Sequence, residues 1–361
     1  MIRDRDPVHT AARAVDVGYF NTKFTLGRKQ TGDELPIATS MFHSLAPQLR
    51  STADLDIPAA KKADGCVVEV EDVRYFVGNQ AVYNSTGAEP RPVGEDYALT
   101  GRYLALLRGA LHYMLVDAGN PDEMLIDNLV LGLPLTTFAA HRAALTRRAA
   151  GEHLIPFNGG ARRVTVGAAH VIPQPHGALL NLGASARNGE ADGWTLVLDV
   201  GGGTVDWYVG KEGNVNFQRS GAHRKAMLAC AAAVAEALDP TWLDQFEVMG
   251  RIDVAIRERR PTFRVQGEDH ALAPHLNAID AVMEESLEKV LAKVQGLGDI
   301  ERILITGGGA GVFGEFIRRR QSKLVKLLHI DQDPMFSNVR GFHVYGELQQ
   351  AKAGASHGAA R

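Results

Sequence analysis

The sequence predicts an α/β protein of two lobes that share a topology, and three observations carry that prediction. The chain has 361 residues, which at ~150 residues per domain is too long for one unit and suits two sizeable ones. Residues 15–27 (VDVGYFNTKFTLG) and 198–210 (LDVGGGTVDWYVG) repeat one pattern about half a chain apart. Each has an apolar strand ending in Asp-Val-Gly, a polar turn and an alternating second strand. A third strand, Arg302–Thr306, runs into the glycine cluster Gly307–Gly311. Composition agrees: 45% hydrophobic and 22% charged residues exclude large-scale disorder. A formal net charge of −3 argues against a protein that coats polyanions.

Residues 14–26 open the fold as strand, turn and strand, with Asp and Gly supplying the bend. Pro36 and Pro47 punctuate a stretch reaching Lys62, read as a strand and a surface loop. Residues 66–77 form a hairpin turning near Asp72. A helix is expected from about Tyr97 to Asp117, because Tyr103, Leu104, Leu107, Leu111, Met114 and Leu115 share one face. Asn128–Leu133 reads as a buried strand stopped by Pro134, followed by a helix over 138–150 and a strand over 162–172. The second hairpin begins at Trp194 and leads to an Ala-rich helix at about 222–238. The clearest amphipathic helix covers 276–295, patterned by Leu276, Ile279, Val282, Met283, Leu287, Val290, Leu291 and Val294. After the glycine cluster come a helix and a strand at 324–330, and the Ala/Gly-rich tail from Gln349 is expected to fray.

The longest apolar run, Ala226 to Ala235, falls well short of the ~20 residues that span a bilayer. The charged start Met1–Asp6 has no following apolar run, so it does not read as a secretory signal. Cys66 and Cys230 fit no metal or redox spacing, and such sparse usage suits a reducing cytoplasm.

The repeated turns suggest chemistry. Gly18 and the triplet Gly201-Gly202-Gly203 let backbone N–H groups come close to an anion. Asp16 and Asp199 stand just before those turns, and a carboxylate beside a phosphate calls for a divalent cation between them. Mg²⁺ suits, since one or two carboxylates plus phosphates usually hold it with its waters. Lys23 can point along the same hairpin at a phosphate as a point charge. The plainer alternative is that both acids bond turn amides and the glycines merely permit tight turns. At the third element, Gly309, Gly311 and Gly314 meet the dinucleotide spacing G-x-G-x-x-G, with Asp331 where a ribose-binding acid would stand. Too little chain remains after Asp331 for the rest of that fold, so packing of the glycines on a base and sugar is preferred.

Together these elements resemble the actin-like ATPase superfamily, and within it the ParM/StbA plasmid-segregation group, including the ParM-like D component of the PRTRC system. Asp16-Val-Gly-Tyr-Phe-Asn-Thr-Lys23 is similar to that group's first phosphate motif. Leu198 to Asp206 is similar to its second phosphate motif, and Ile303 to Ala310 to its adenosine motif. Phe76–Ala81, Gly132–Thr136 and the returning stretch Asp333–Gly341 also match in order, so the resemblance runs from about residue 14 to 346. It implies two lobes of duplicated ribonuclease H-like topology around a nucleotide cleft. Residues 1–180, completed by 335–361, would form the first lobe and 181–334 the second.

The resemblance implies that Asp16 and Asp199 organise Mg²⁺ through its waters and that ATP or ADP is the ligand. Gly18, Tyr19, Phe20, Asn21 and Lys23 would meet the phosphates from one side, Gly201, Gly202, Gly203 and Thr204 from the other. Gly307, Gly308, Gly309 and Ala310 would hold the adenosine. Gln174 falls where the family places the residue that positions the attacking water; a turn residue between Pro173 and Pro175 is the alternative. Tyr19 and Phe20 are bulkier than usual, and their side chains are expected to turn away. Ser337 stands where Ala is common. Asp206 either binds a metal-shell water or caps the hairpin. The implied activity is ATP hydrolysis coupled to head-to-tail filaments in the cytoplasm, serving plasmid partition through a DNA-bound adaptor, without direct DNA readout or membrane. A non-filamentous ATP-dependent switch or a small-molecule kinase is the alternative.

Other features carry less. His170, His176 and His223 (the last read as starting a helix) belong to no metal spacing. Arg318–Arg320 and the group Arg257, Arg259, Arg260 read as solvated helix faces, with contact to a filament neighbour or an adaptor as the alternative. Ser185 and Ser220 lack the context of a nucleophile.

Overall fold

The computed structural model describes residues 7–49, 64–86, 94–157, 160–185, 193–211 and 213–358. The surface loop expected beyond Pro47 lies mostly outside them. The first sheet grows from the first hairpin: β1 (Val8–Val17) pairs antiparallel with β2 (Asn21–Arg28), and β3 (Ile37–His43) adds outside β2. β4 (Cys66–Val70) and β5 (Val73–Val77) make the expected hairpin, turning through Glu71 and Asp72 at positive φ.

Helix α1 (Gly101–Asp117) starts later than expected, because the Thr100 hydroxyl accepts from the Tyr103 N–H and caps it. Tyr97 sits in a preceding 3-10 turn. β6 (Glu123–Leu133) lies parallel to β1 and is longer than the apolar run alone suggested. α2 (Leu135–Ala149) starts directly after Pro134, and β7 (Gly151–Phe157) and β8 (Gly160–Pro173) complete a sheet ordered β3-β2-β1-β6-β8-β7. α3 (Gln174–Ser185) then leads toward the second half.

The second sheet repeats the plan. β9 (Trp194–Val200) and β10 (Val205–Lys211) form its antiparallel hairpin, flanked by β11 (Asn214–Val215) and β12 (Gly221–His223). Because residues 221–223 pair with β10, the Ala-rich helix α4 (Met227–Leu238) starts later than expected and His223 lies in a strand. α5 (Phe246–Arg257), the hairpin β13 (Thr262–Val265) and β14 (Glu268–Ala271), and α6 (Leu276–Val294) follow. β15 (Ile300–Thr306) lies parallel to β9 and leads into α7 (Ala310–Arg320). Of the strand expected at 324–330, β16 (Leu328–Ile330) pairs with β15, while Ser322–Leu327 is a 3-10 turn. The tail does not fray where expected: α8 (Ser337–Gly358) runs through it, and its exposed alanines favour helix intrinsically.

Two helices join the halves. On α8, Val339 and Phe342 pack on Ala14, Val130 and Ile172 of the first sheet. On α3, Ala178 and Leu179 pack on Val197, Tyr208 and Leu304 of the second. They cross where Gly177 meets Gly341, and a Cβ on Gly341 would fall 1.7 Å from the Gly177 carbonyl oxygen. Only bare backbone permits that approach.

Candidate functional site

A cleft opens where the two hairpin turns face each other. Its walls include Gly18, Tyr19, Phe20 and Asn21 from one turn, Gly201 to Thr204 from the other, and Gly307, Gly308 and Gly309. Asp16, Lys23, Gln174 and Asp199 reach the same space. Ala310 does not line it; as the first residue of α7 it is wholly buried.

The two acids sit in different surroundings. Asp16, 1% exposed, accepts at Oδ2 from Lys23 Nζ at 2.9 Å and at Oδ1 from Gln174 Nε2 at 2.7 Å. Burial alone would lower the Lys23 pKa, but the Asp16 carboxylate, with help from Asp199, holds it above the ordinary lysine value. Asp199 accepts from Asn338 Nδ2 at 2.7 Å. Burial, then the like charge of Asp206, pushes its pKa up to about 7. Asp206 is pushed up to about 6 by burial, against hydrogen bonds from Thr204 and the Leu135 amide. Its Oδ1 accepts from that amide at 3.0 Å, so it caps the start of α2 from the opposite half and does not line the cleft.

Tyr19 and Phe20 do not turn away. A Cβ placed on Gly202 would lie 2.3 Å from the Phe20 ring, and one on Gly203 2.8 Å from the Tyr19 ring. The bulk of one turn fills the space left by the bareness of the other. Tyr19 also stacks on Tyr97 at 5.3 Å between centroids.

With this geometry in view, residues 14–177 match the family model described as the N-terminal domain of actin-like proteins. The solved actin-like protein Alp7A superposes with a TM-score of 0.72 at 13% identity, covering 99% of this chain and 100% of that one. This is an actin-like fold. An archaeal actin homologue, Ta0583, in complex with ADP gives 0.67 at 16% identity over 94% and 100% of the two chains. A subunit of a 15-stranded ParM filament from Clostridium botulinum gives 0.67 at 17% over 93% and 99%. None of the curated proteins matches the chain by sequence.

Within the actin-like frame, the dinucleotide reading fails. The Gly309 amide donates to Val200 O at 2.9 Å and is not free for a pyrophosphate. Gly314 packs on Ile330, and Asp331 accepts from Asn181 and Ser337. The glycine cluster instead lines the cleft beside Met227 and Met335.

Sequence reasoning missed several wall residues. Arg257, read as a solvated face, pairs with buried Asp253 at 2.8 Å, and both line the cleft. Tyr97, Tyr103 and Met335 also line it. An acid and an arginine four apart on one helix face could have flagged the first pair; nothing local marked the others. Arg319 and Arg320 both bind Asp280, so that part of the basic run is structural. His170 bonds Asn128 and His176 bonds the Tyr208 hydroxyl, also structural roles.

The residues fit a hydrated Mg²⁺. Asp199 carries a buried charge that burial and Asp206 disfavour, and a cation would relieve it. Beside it, Asn338 Oδ1 is buried with no hydrogen-bond partner among the described residues. Two carboxylates with waters and phosphates are the usual Mg²⁺ set. Among the described residues no helix is long and apolar enough to cross a membrane.

Proposed function

We propose that the cleft binds ATP and ADP with Mg²⁺ and hydrolyses ATP. The observation that carries this reading is the confrontation of two hairpin turns, one backed by the Asp16–Lys23 pair and the other by the charge-burdened Asp199. Asn21 and Lys23 bind phosphates from the first lobe and Gly202 to Thr204 from the second, the Gly18 and Gly201 amides being spent on Asn21 O and Thr204 O within their own turns. Gly307, Gly308 and Gly309 hold the base and sugar. Asp16 and Asp199 hold the Mg²⁺ waters, and the bound ion neutralises phosphate charge. Gln174, whose Nε2 is tied to Asp16, has its carbonyl oxygen to orient the attacking water. Positioning of that kind is most of what phosphoryl transfer asks of a protein.

The wider role is polymerisation. A head-to-tail contact that does not close builds a filament, and nucleotide state shifts the subunit between conformations. The ParM filament among the similar structures supports this reading, as the ADP complex of the archaeal homologue supports the ligand. The proposed task is plasmid partition in the cytoplasm through a DNA-bound adaptor, because a net charge of −3 offers little for direct DNA coating. The proposed lobes are residues 1–180 with 335–361, and 181–334.

Turnover and pelleting test this together. ATP hydrolysis that needs Mg²⁺, with sedimenting polymer in ATP and less in ADP, is expected. Turnover without polymer across salt and protein concentration would reject the filament role. Absence of nucleotide binding would reject the whole reading.

A further inference from the structure

Gly202 and Gly203 have φ outside the left-handed region, so no left-handed backbone demands glycine there. What a side chain there would strike is the Phe20 or Tyr19 ring from the opposite turn. The glycines are therefore shaped to the aromatic residues as well as to any ligand. The contact is braced from behind: Tyr19 stacks on Tyr97, and Tyr97 meets the deeply buried Tyr103 edge-on at 5.5 Å. Beyond Tyr19 and Gly203 lies a second cavity, whose walls include Arg224, Leu228 and Met249. Tyr19 and Gly203 line both spaces, so the ring is part of the partition between them.

We propose that Tyr19 and Phe20 form an aromatic clasp: their rings, seated on the bare backbone of Gly203 and Gly202, hold the cleft closed at the turns, and their parting governs nucleotide exchange. The clasp rests on the nucleotide reading above and adds a control to that site. It spans two halves that α3 and α8 already join at Gly177 and Gly341, so ring contact and lobe closure are one event. The Arg224–Glu95 ion pair at 2.6 Å lies near the same mouth but is exposed, and it contributes little by comparison.

Release of a fluorescent ATP analogue, with excess Mg²⁺ and unlabelled ATP as competitor, measures the clasp. Phe20→Ala and Tyr19→Ala each release the analogue about tenfold faster, as loss of a well-packed aromatic contact of roughly 1.4 kcal/mol requires. Glu95→Gln changes release by less than about twofold. Gly202→Ala separates the clasp from a plain folding defect, with circular dichroism confirming the fold of each variant. It speeds release in the parent chain and adds nothing once Phe20 is Ala, since the added methyl then has no ring to strike. Additive effects of Gly202→Ala and Phe20→Ala overturn the clasp, as does unchanged release in both aromatic variants. If the parent chain binds no nucleotide, the nucleotide reading falls and the clasp with it.

Discussion

In the first hairpin Asp16 stands opposite Lys23; at the matching register of the second, Asp199 stands opposite Asp206. One backbone plan thus carries an ion pair in one half and a pair of buried acids in the other. The turns differ in the opposite sense, Tyr19-Phe20 being bulky where Gly202-Gly203 are bare. Neither hairpin is a site alone. The first is neutral in its charges and protrudes; the second carries surplus negative charge and offers a recess. A cation beside the second would relieve its surplus charge.

The largest effect should come from breaking the neutral half. Lys23 is 15% and Asp16 1% exposed at the side chain, so Lys23→Ala leaves a buried carboxylate unpaired and should cost about 3–5 kcal/mol of stability. Denaturant unfolding checks this, and a cost below about 1 kcal/mol would show that the pair does not neutralise the hairpin. Asp199→Asn acts on the charged half. It should cut Mg²⁺-dependent turnover by about a hundredfold, yet raise the melting temperature of the ligand-free protein at pH 8. Unchanged turnover would remove Asp199 from the metal's shell.

The pH dependence separates the halves further. The folded pKa of Asp199, about 7, lies above the ~3.9 of an exposed aspartate. A raised carboxylate pKa means that the folded state keeps its proton longer. The Asp199 share of stability is therefore whole below pH ~4 and declines as pH rises toward 7. Lys23, raised in its turn, holds its contribution until pH climbs past the ordinary lysine value of ~10.4. Unfolding free energies of the parent minus those of Asp199→Asn should fall between pH 4 and 7 and then level. A flat difference would mean that Asp199 ionises like an exposed acid. The smallest change is Asp206→Asn, which keeps an acceptor for the Leu135 amide while removing the like charge. It should move that pH window downward with less than about 1 kcal/mol change at pH 4; an unmoved window would trace the Asp199 shift to burial and Asp16 rather than to Asp206.

Much of the fold was legible because its signals are local. The duplicated Asp-Val-Gly hairpins, the periodicity of α6 and the strand before Gly307 each declare themselves within about twenty residues, the range over which such patterns act. Boundaries were less legible where a distant partner decides them: β12 forms by pairing with β10, and β16 pairs only as far as β15 runs beside it. The site divided in the same way. Asp16, Asp199 and the glycines stood out by their repetition. Asn338, Asp253 and Tyr97 did not, since a lone polar or aromatic residue acquires meaning only from what it meets.

Local pattern alone specifies two hairpins of one design, separated by half the chain, with acids and glycines where a charged ligand would need them. Pattern suffices there, because strand alternation and turn chemistry depend on near neighbours. It takes the assembled fold for Lys23 to neutralise Asp16 while Asp206 burdens Asp199, and for Phe20 and Tyr19 to lie on Gly202 and Gly203. Charge burial and ring-on-backbone contact arise only when the halves are brought together, and α3 and α8 crossing at Gly177 and Gly341 do that.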